Sequence, residues 1–164
     1  MLPKTHFIFG GIFALIVFLL LPQIGYIGFI IIWFSSFLID VDHYLFYVFL
    51  KKDISLKNSY HWFVKKHRKF KELSINERKE RIKERCPIPV IFHGIEFILL
   101  LIILSFFSKI FVYILIGVVF HQLLDFISIT HDRSDIRHIG SQTYNFIQYK
   151  KRLKRNHLNL PYLK

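Results

Sequence analysis

The sequence predicts an all-α membrane protein: a polytopic bundle of four transmembrane helices in two hairpins, with a basic, partly helical cytoplasmic loop. Three observations predict it. The 164-residue chain is 53% hydrophobic, with 19 Phe, yet its formal net charge is +12. The apolar and basic residues occupy different segments: 7–50 and 87–129 hold the long apolar runs, 51–86 and 132–164 nearly all the charge. The apolar runs also fall into two pairs, each joined by a minimal turn. Apolar spans with basic flanks are the pattern of a membrane protein, whereas soluble domains seldom combine such hydrophobicity with such charge.

The first apolar run is Phe7–Leu21, within a span of about 5–22. Its length would suit a signal peptide, but no small-residue cleavage site separates Pro22-Gln23 from the next run, so a retained span is expected. The second run, Ile24–Ile39, extends to a span of about 24–43. The third and fourth, Ile88–Phe107 and Ile110–Ile129, give spans of 88–107 and 110–129. These two meet the about 20 apolar residues that a bilayer needs; the first two are shorter. Pro22-Gln23 and Ser108-Lys109 close the two hairpins. The whole of 1–164 reads as a single membrane domain.

Charge sets the direction. The two turns contribute only Lys109, whereas 51–86 has 13 Lys+Arg against 5 Asp+Glu, and 132–164 has 8 against 2. The positive-inside rule places both termini, the loop 51–86 and the tail 132–164 in the cytoplasm, with the chain in the inner (cell) membrane. In the loop, Ser74 followed by Glu77 forms a capping box ahead of a helix over Ile75–Arg85. Its basic face suits anionic headgroups, so membrane lipids are the expected partner. The basic run Lys150–Arg155 reads as a juxtamembrane anchor rather than a nucleic-acid contact. The single cysteine, Cys86, allows no intrachain disulfide and reads as an interfacial residue. Oligomeric state is left open by the sequence.

Only four of the 11 acidic residues lie in or at the ends of the apolar segments: Asp40, Asp42, Glu96 and Asp125. Each has a histidine close by, His43 for the first two, His93 for Glu96 and His121 for Asp125, and His6 stands at the edge of the first span. The hairpin topology brings all of these to the loop side and none to the turn side. Asp40/His43 and His93/Glu96 are spaced i,i+3, and His121/Asp125 i,i+4, so each pair projects from one helix face. Carboxylate and imidazole repeated on several helices is how bundles build metal sites, and His with Asp and no Cys suits zinc or a similar divalent ion. Ionised Asp at bilayer depth costs about 2.5–3.5 kcal/mol, which a bound cation offsets. The expected ligands are His6, Asp40, His43, His93, His121 and Asp125. Asp42 or Glu96, lacking a full metal bond, would orient or deprotonate water. His61, His67 and His157 read as solvated loop or tail residues, and His138 as no part of the site.

Thr5-His6, Leu38-Ile39-Asp40-Val41-Asp42-His43, Phe92-His93-Gly94 and His121-x-x-x-Asp125 resemble, in short blocks over residues 5–125, the YdjM-like family of inner-membrane metal-dependent hydrolases. Ile39 stands where that family usually has proline. Of the family's Arg-Gly between two histidines, His93-Gly94 stands here without the first histidine beside it, which either His67-Arg68 of the loop supplies or Glu96 replaces as a ligand. His121, Asp125 and His131 also share the spacing of the zinc-dependent phospholipase C and single-strand nuclease superfamily, a helical fold whose members hydrolyse phosphodiesters. That likeness adds His131 to the implied ligands. Together the resemblances imply one or more zinc ions and a hydrolase acting on a lipid or lipid-linked phosphoester at the cytoplasmic face. Lys65, Lys66, Arg68 and Lys69 would draw an anionic substrate towards it. No Ser, Cys or Thr nucleophile motif is present, which argues against acyl-enzyme chemistry. The alternatives are a small metal-ion or proton-coupled transporter, for which intramembrane His and Asp are the usual material, and a non-enzymatic membrane scaffold.

Overall fold

The computed structural model describes residues 3–84, 90–132 and 140–155. The described residues are helical with no strand. In chain order the helices are α1 (Pro3–Leu20), α2 (Gly25–Leu38), α3 (Val41–Lys51), α4 (Leu56–Lys71), α5 (Ile75–Glu84), α6 (Ile95–Ser105), α7 (Lys109–Asp132) and α8 (Gln142–Arg155). Short 3-10 turns stand at Pro22–Ile24 and Ile91–His93. α2 is central and packs against α1 and α7, and α6 lies on α7. Small residues permit the close approach. A Cβ on Gly10 of α1 would collide with the Ser36 hydroxyl, and one on Gly117 of α7 with Ser35 and the Ile32 carbonyl.

Three segments are long and apolar enough to cross a membrane: Pro3–Leu20, Pro22–Lys51 and Lys109–Asp132. Much of their apolar surface faces outwards, as with Leu20, Ile27 and Val119. The four-span expectation is met in part. The segment assigned to a third span, 88–107, contains only the 3-10 turn and the 11-residue α6. At 1.5 Å per residue α6 is about 16 Å long, about half a hydrocarbon core. Its start is delayed because Val90 and Gly94 are both extended. The second expected span, 24–43, is broken. Asp40 N–H bonds back only to the Phe37 carbonyl, and the Asp40 carbonyl then starts α3 by accepting from His43 and Tyr44.

On the loop side, α3 and α4 form a hairpin. Lys52 ends α3 in the left-handed conformation, φ 55°. Asp53 then accepts from the Tyr47 hydroxyl at 2.6 Å, the Ser55 N–H at 2.9 Å and the Asn58 amide at 2.9 Å. Ser55 caps α4 by accepting the Asn58 N–H. The predicted capping box is formed: Ser74 N–H donates to Glu77, and Glu77 N–H to the Ser74 hydroxyl, opening α5. Arg78 of α5 donates to the Asp132 carbonyl, and Lys71 lies 3.3 Å from the Asp132 carboxylate, tying the loop helices to the end of α7.

Candidate metal centre

Five elements deliver polar side chains to one buried point. α1 supplies His6 from its first turns, the α2–α3 break supplies Asp40, and the first turn of α3 supplies Asp42 and His43. The 3-10 turn supplies His93, and adjacent turns of α7 supply His121 and Asp125. His6, His93 and His121 are 0% exposed and Asp125 2%. The Nε2 atoms of His93 and His121 are 3.0 Å apart. Asp40 Oδ1 lies 3.6 Å from the first and 3.7 Å from the second. Asp125 Oδ2 lies 3.8 and 3.5 Å from the same two atoms. The other Asp125 oxygen is 3.2 Å from His6 Nε2, and the His6 ring stacks on that of His121. His43 Nε2 stands 3.8 Å from Asp40 Oδ1.

The protons on two of these rings follow from their partners. His121 Nδ1 is 2.8 Å from the Ser36 carbonyl, which can only accept, so Nδ1 carries the hydrogen. His93 Nδ1 is 3.0 Å from Asp42 Oδ2, which also accepts the Phe92 N–H at 3.2 Å. With both Nδ1 atoms donating, each neutral ring presents its Nε2 lone pair to the other across 3.0 Å, beside two carboxylate oxygens. That arrangement is repulsive unless a proton or a metal ion lies between the two atoms. Carboxylate and carbonyl partners on the far nitrogen are also what orient histidine for a metal.

Zinc–nitrogen and zinc–oxygen bonds of about 2.0–2.1 Å place tetrahedral donors about 3.3–3.4 Å apart. Five of the six separations among His93, His121, Asp40 and Asp125, all but that between the two carboxylates, run from 3.0 to 3.8 Å and bracket that value. Neither His6 nitrogen has a hydrogen-bond partner, nor does Asp40 Oδ2, although all three are buried. Three overlapping sets, His6–Asp40–His121, Asp40–His43–His93 and His93–His121–Asp125, each keep their donor atoms within 4.8 Å. These buried groups could hold a metal ion. The donor set and its orphaned atoms fit one.

Three predicted site residues do not take the places expected of them. Glu96, expected beside His93, is turned away because extended Gly94 breaks the helix between them. It instead accepts from the Ser141 hydroxyl and from the Gln142 and Thr143 N–H groups, capping the start of α8. His131 is exposed in the last turn of α7. Ten residues beyond His121, it lies about 15 Å along the axis from that donor. Asp42 is not turned towards free water; one oxygen is engaged by His93 and Phe92, and the other is buried. Cys86, His138 and His157 lie outside the described residues. Two features escaped the sequence reading: the Ser36 carbonyl that fixes His121, and Asp42 as the orienting group of His93. The Gly and Ser residues within the apolar runs were the available signal for such close packing.

A cavity of about 430 Å³ adjoins the donors on the loop side, with Asp40, His43 and Asp125 in its lining. α4 closes it with Ser59, Phe63 and His67, so His67 is not simply a solvated loop residue. Burial pushes the His67 pKa down, the Lys71 cation adds to this, and Asp132 opposes it. Lys65, Arg68 and Lys69, expected to attract substrate, face outwards on the opposite side of α4. Comparison with protein-family models, with curated proteins and with solved structures finds no match in any of the three.

Proposed function

We propose that the chain is a multi-pass membrane hydrolase, dependent on a divalent metal, most naturally zinc, that cleaves a phosphoester of a lipid or lipid-linked molecule at the cytoplasmic face. The observation that carries the metal is the meeting of the His93 and His121 Nε2 atoms beside Asp40 and Asp125 in a buried cluster. A divalent ion there supplies a Lewis acid and lowers the pKa of water. The chain's own residues do the rest. His93 and His121 are held in one tautomer by Asp42 and the Ser36 carbonyl. Asp40 is the preferred proton acceptor, because its Oδ2 is buried without a donor and the residue lines the cavity. The apolar wall of the cavity limits water to the reacting position. The substrate class rests on the resemblance of the short motifs to metal-dependent hydrolases.

A second reading, ion or proton-coupled transport, draws on the break of the second span at Ile39–Asp40, since discontinuous helices mark transporter sites. It is the weaker. Towards the turns, the hydroxyls of Ser35, Ser36 and Ser105 all bond back to carbonyls of their own helices and offer an ion no path. The test is elemental analysis of the purified protein in detergent, followed by a panel of phosphodiester substrates. Stoichiometric metal, lost in Asp40→Ala, His93→Ala and Asp125→Ala, together with hydrolysis, is expected. A parent protein without metal would refute the proposal; metal without hydrolysis of any substrate favours transport.

A further inference from the structure

We infer that the cavity between α4 and the donor cluster is the binding chamber for the hydrocarbon part of an anionic amphiphile, with Ser59 and Phe63 of α4 setting what fits. The inference rests on the phosphoester reading above and adds how the substrate is held. The cavity, about 430 Å³, falls near the lower end of the about 300–1,000 Å³ typical of ligand pockets. Its lining combines two chemistries. Asp40, His43 and Asp125 belong to the candidate metal centre, where a divalent ion would face an anionic head. Leu56, Phe63 and Ile129 supply apolar wall, and Ser59, 4% exposed, sits among them.

The mouth is apolar as well. Leu56 lines the cavity yet is 69% exposed, and its neighbour Ile54 is 78% exposed. The outward-facing cations Lys65, Arg68 and Lys69 stand on the other side of α4. A chain therefore enters past Leu56 and Ile54 without crossing the charged face. Depth agrees. Twelve to sixteen residues separate Lys109 from His121 and Asp125, or about 18–24 Å of helix, against a hydrocarbon core of about 30 Å. With Lys109 at the far boundary, the donors lie below the near headgroups, where an amphiphile can bring its head and a fully water-soluble anion is disfavoured.

Zinc-loaded protein in lipid nanodiscs is titrated calorimetrically with methyl phosphate, hexyl phosphate and hexan-1-ol, with empty nanodiscs as the blank. Hexyl phosphate should bind at least about tenfold more tightly than methyl phosphate, since each buried methylene contributes about fourfold. It should also bind at least about tenfold more tightly than hexanol, which lacks the charge-assisted contacts of the head. Ser59→Trp fills the chamber and should abolish the preference for the hexyl chain while leaving metal content and methyl phosphate binding intact. Leu56→Trp, at the exposed mouth, serves if Ser59→Trp does not fold. Equal binding of the two phosphates, hexanol binding as well as hexyl phosphate, or unchanged chain preference in a folded chamber-filling variant overturns the inference. Selective hexyl phosphate binding without hydrolysis of any phosphoester leaves the chamber standing and refutes the hydrolase reading alone.

Discussion

Asp42 offers the sharpest test of whether the buried donors are a metal site. It touches none of the proposed metal's space; it acts through His93, holding Nδ1 at 3.0 Å so that Nε2 points at His121. Loss of such an orienting carboxylate costs about 10–100-fold in metal affinity. Asp42→Asn keeps an oxygen that can accept from His93 and Phe92 but removes the charge, so about tenfold is expected, or about 1.4 kcal/mol. Asp42→Ala removes the acceptor from two N–H groups, one of them on a fully buried ring, and frees His93 to change tautomer. About 100-fold is expected there, about 2.7 kcal/mol. Zinc affinity is measured by competition with a chromogenic chelator in detergent, with melting temperature at saturating zinc as the folding control. An Asp42→Ala protein that folds and binds zinc within about twofold of the parent would refute the assigned tautomers and, with them, the metal argument.

Further outcomes follow from the same contacts. His131→Ala should leave metal content unchanged, whereas His6→Ala should lower it, both read by elemental analysis. Glu96→Gln should also leave metal in place but weaken the start of α8 by about 1 kcal/mol, seen as faster amide exchange at Gln142 and Thr143. Gly117→Val should disrupt the α2–α7 contact through Ser35 and lower both melting temperature and metal content. At Asp53 the Tyr47 hydroxyl, with Ser55 and Asn58, holds the carboxyl below its ordinary pKa of 3.8. Its contribution is thus complete above that value and is lost as pH falls through the lower folded pKa. The melting-temperature gap between parent and Asp53→Asn should be full at neutral pH and close below about pH 4.

The sequence made the helical class legible because segregation of apolar and basic residues survives any detail of packing. It also made the donors legible. His6, Asp40, His43, His93, His121 and Asp125 come from five regions of the chain, and the structure brings these side chains together. The misplacements have a common cause. Pairing His93 with Glu96 assumed a continuous helix, and a continuous span over 88–107 assumed the same. Gly94, extended at ψ 152°, defeats both, and the nearby Gln142 side chain leaves no room for a Cβ there. Hydropathy does not register such a break. His131 shows the converse: a spacing match in sequence says nothing of azimuth, and ten residues of helix carry it well away from the donors.

The break at Ile39–Asp40 ties fold to chemistry. A continuous second span would bond the Asp40 N–H to the carbonyl four residues back, whereas here it bonds to Phe37, three residues back. The break makes Asp40 the N-cap residue of α3, and Asp42 and His43 become residues of its first turn. Asp42 can then reach behind His93 while Asp40 reaches in front of it, 3.6 Å from its Nε2. The cost of assembling Asp40, Asp42 and Asp125 at membrane depth is about 8–10 kcal/mol if all are ionised and uncompensated. The ion-pair partners of Asp40 and Asp42 among the described residues are imidazoles, two of which have Nδ1 engaged by an acceptor and Nε2 turned towards the cluster. The carboxylates come from two segments, Asp40 and Asp42 from the second span and Asp125 from α7, and a cation held among them and the imidazoles would offset their charge.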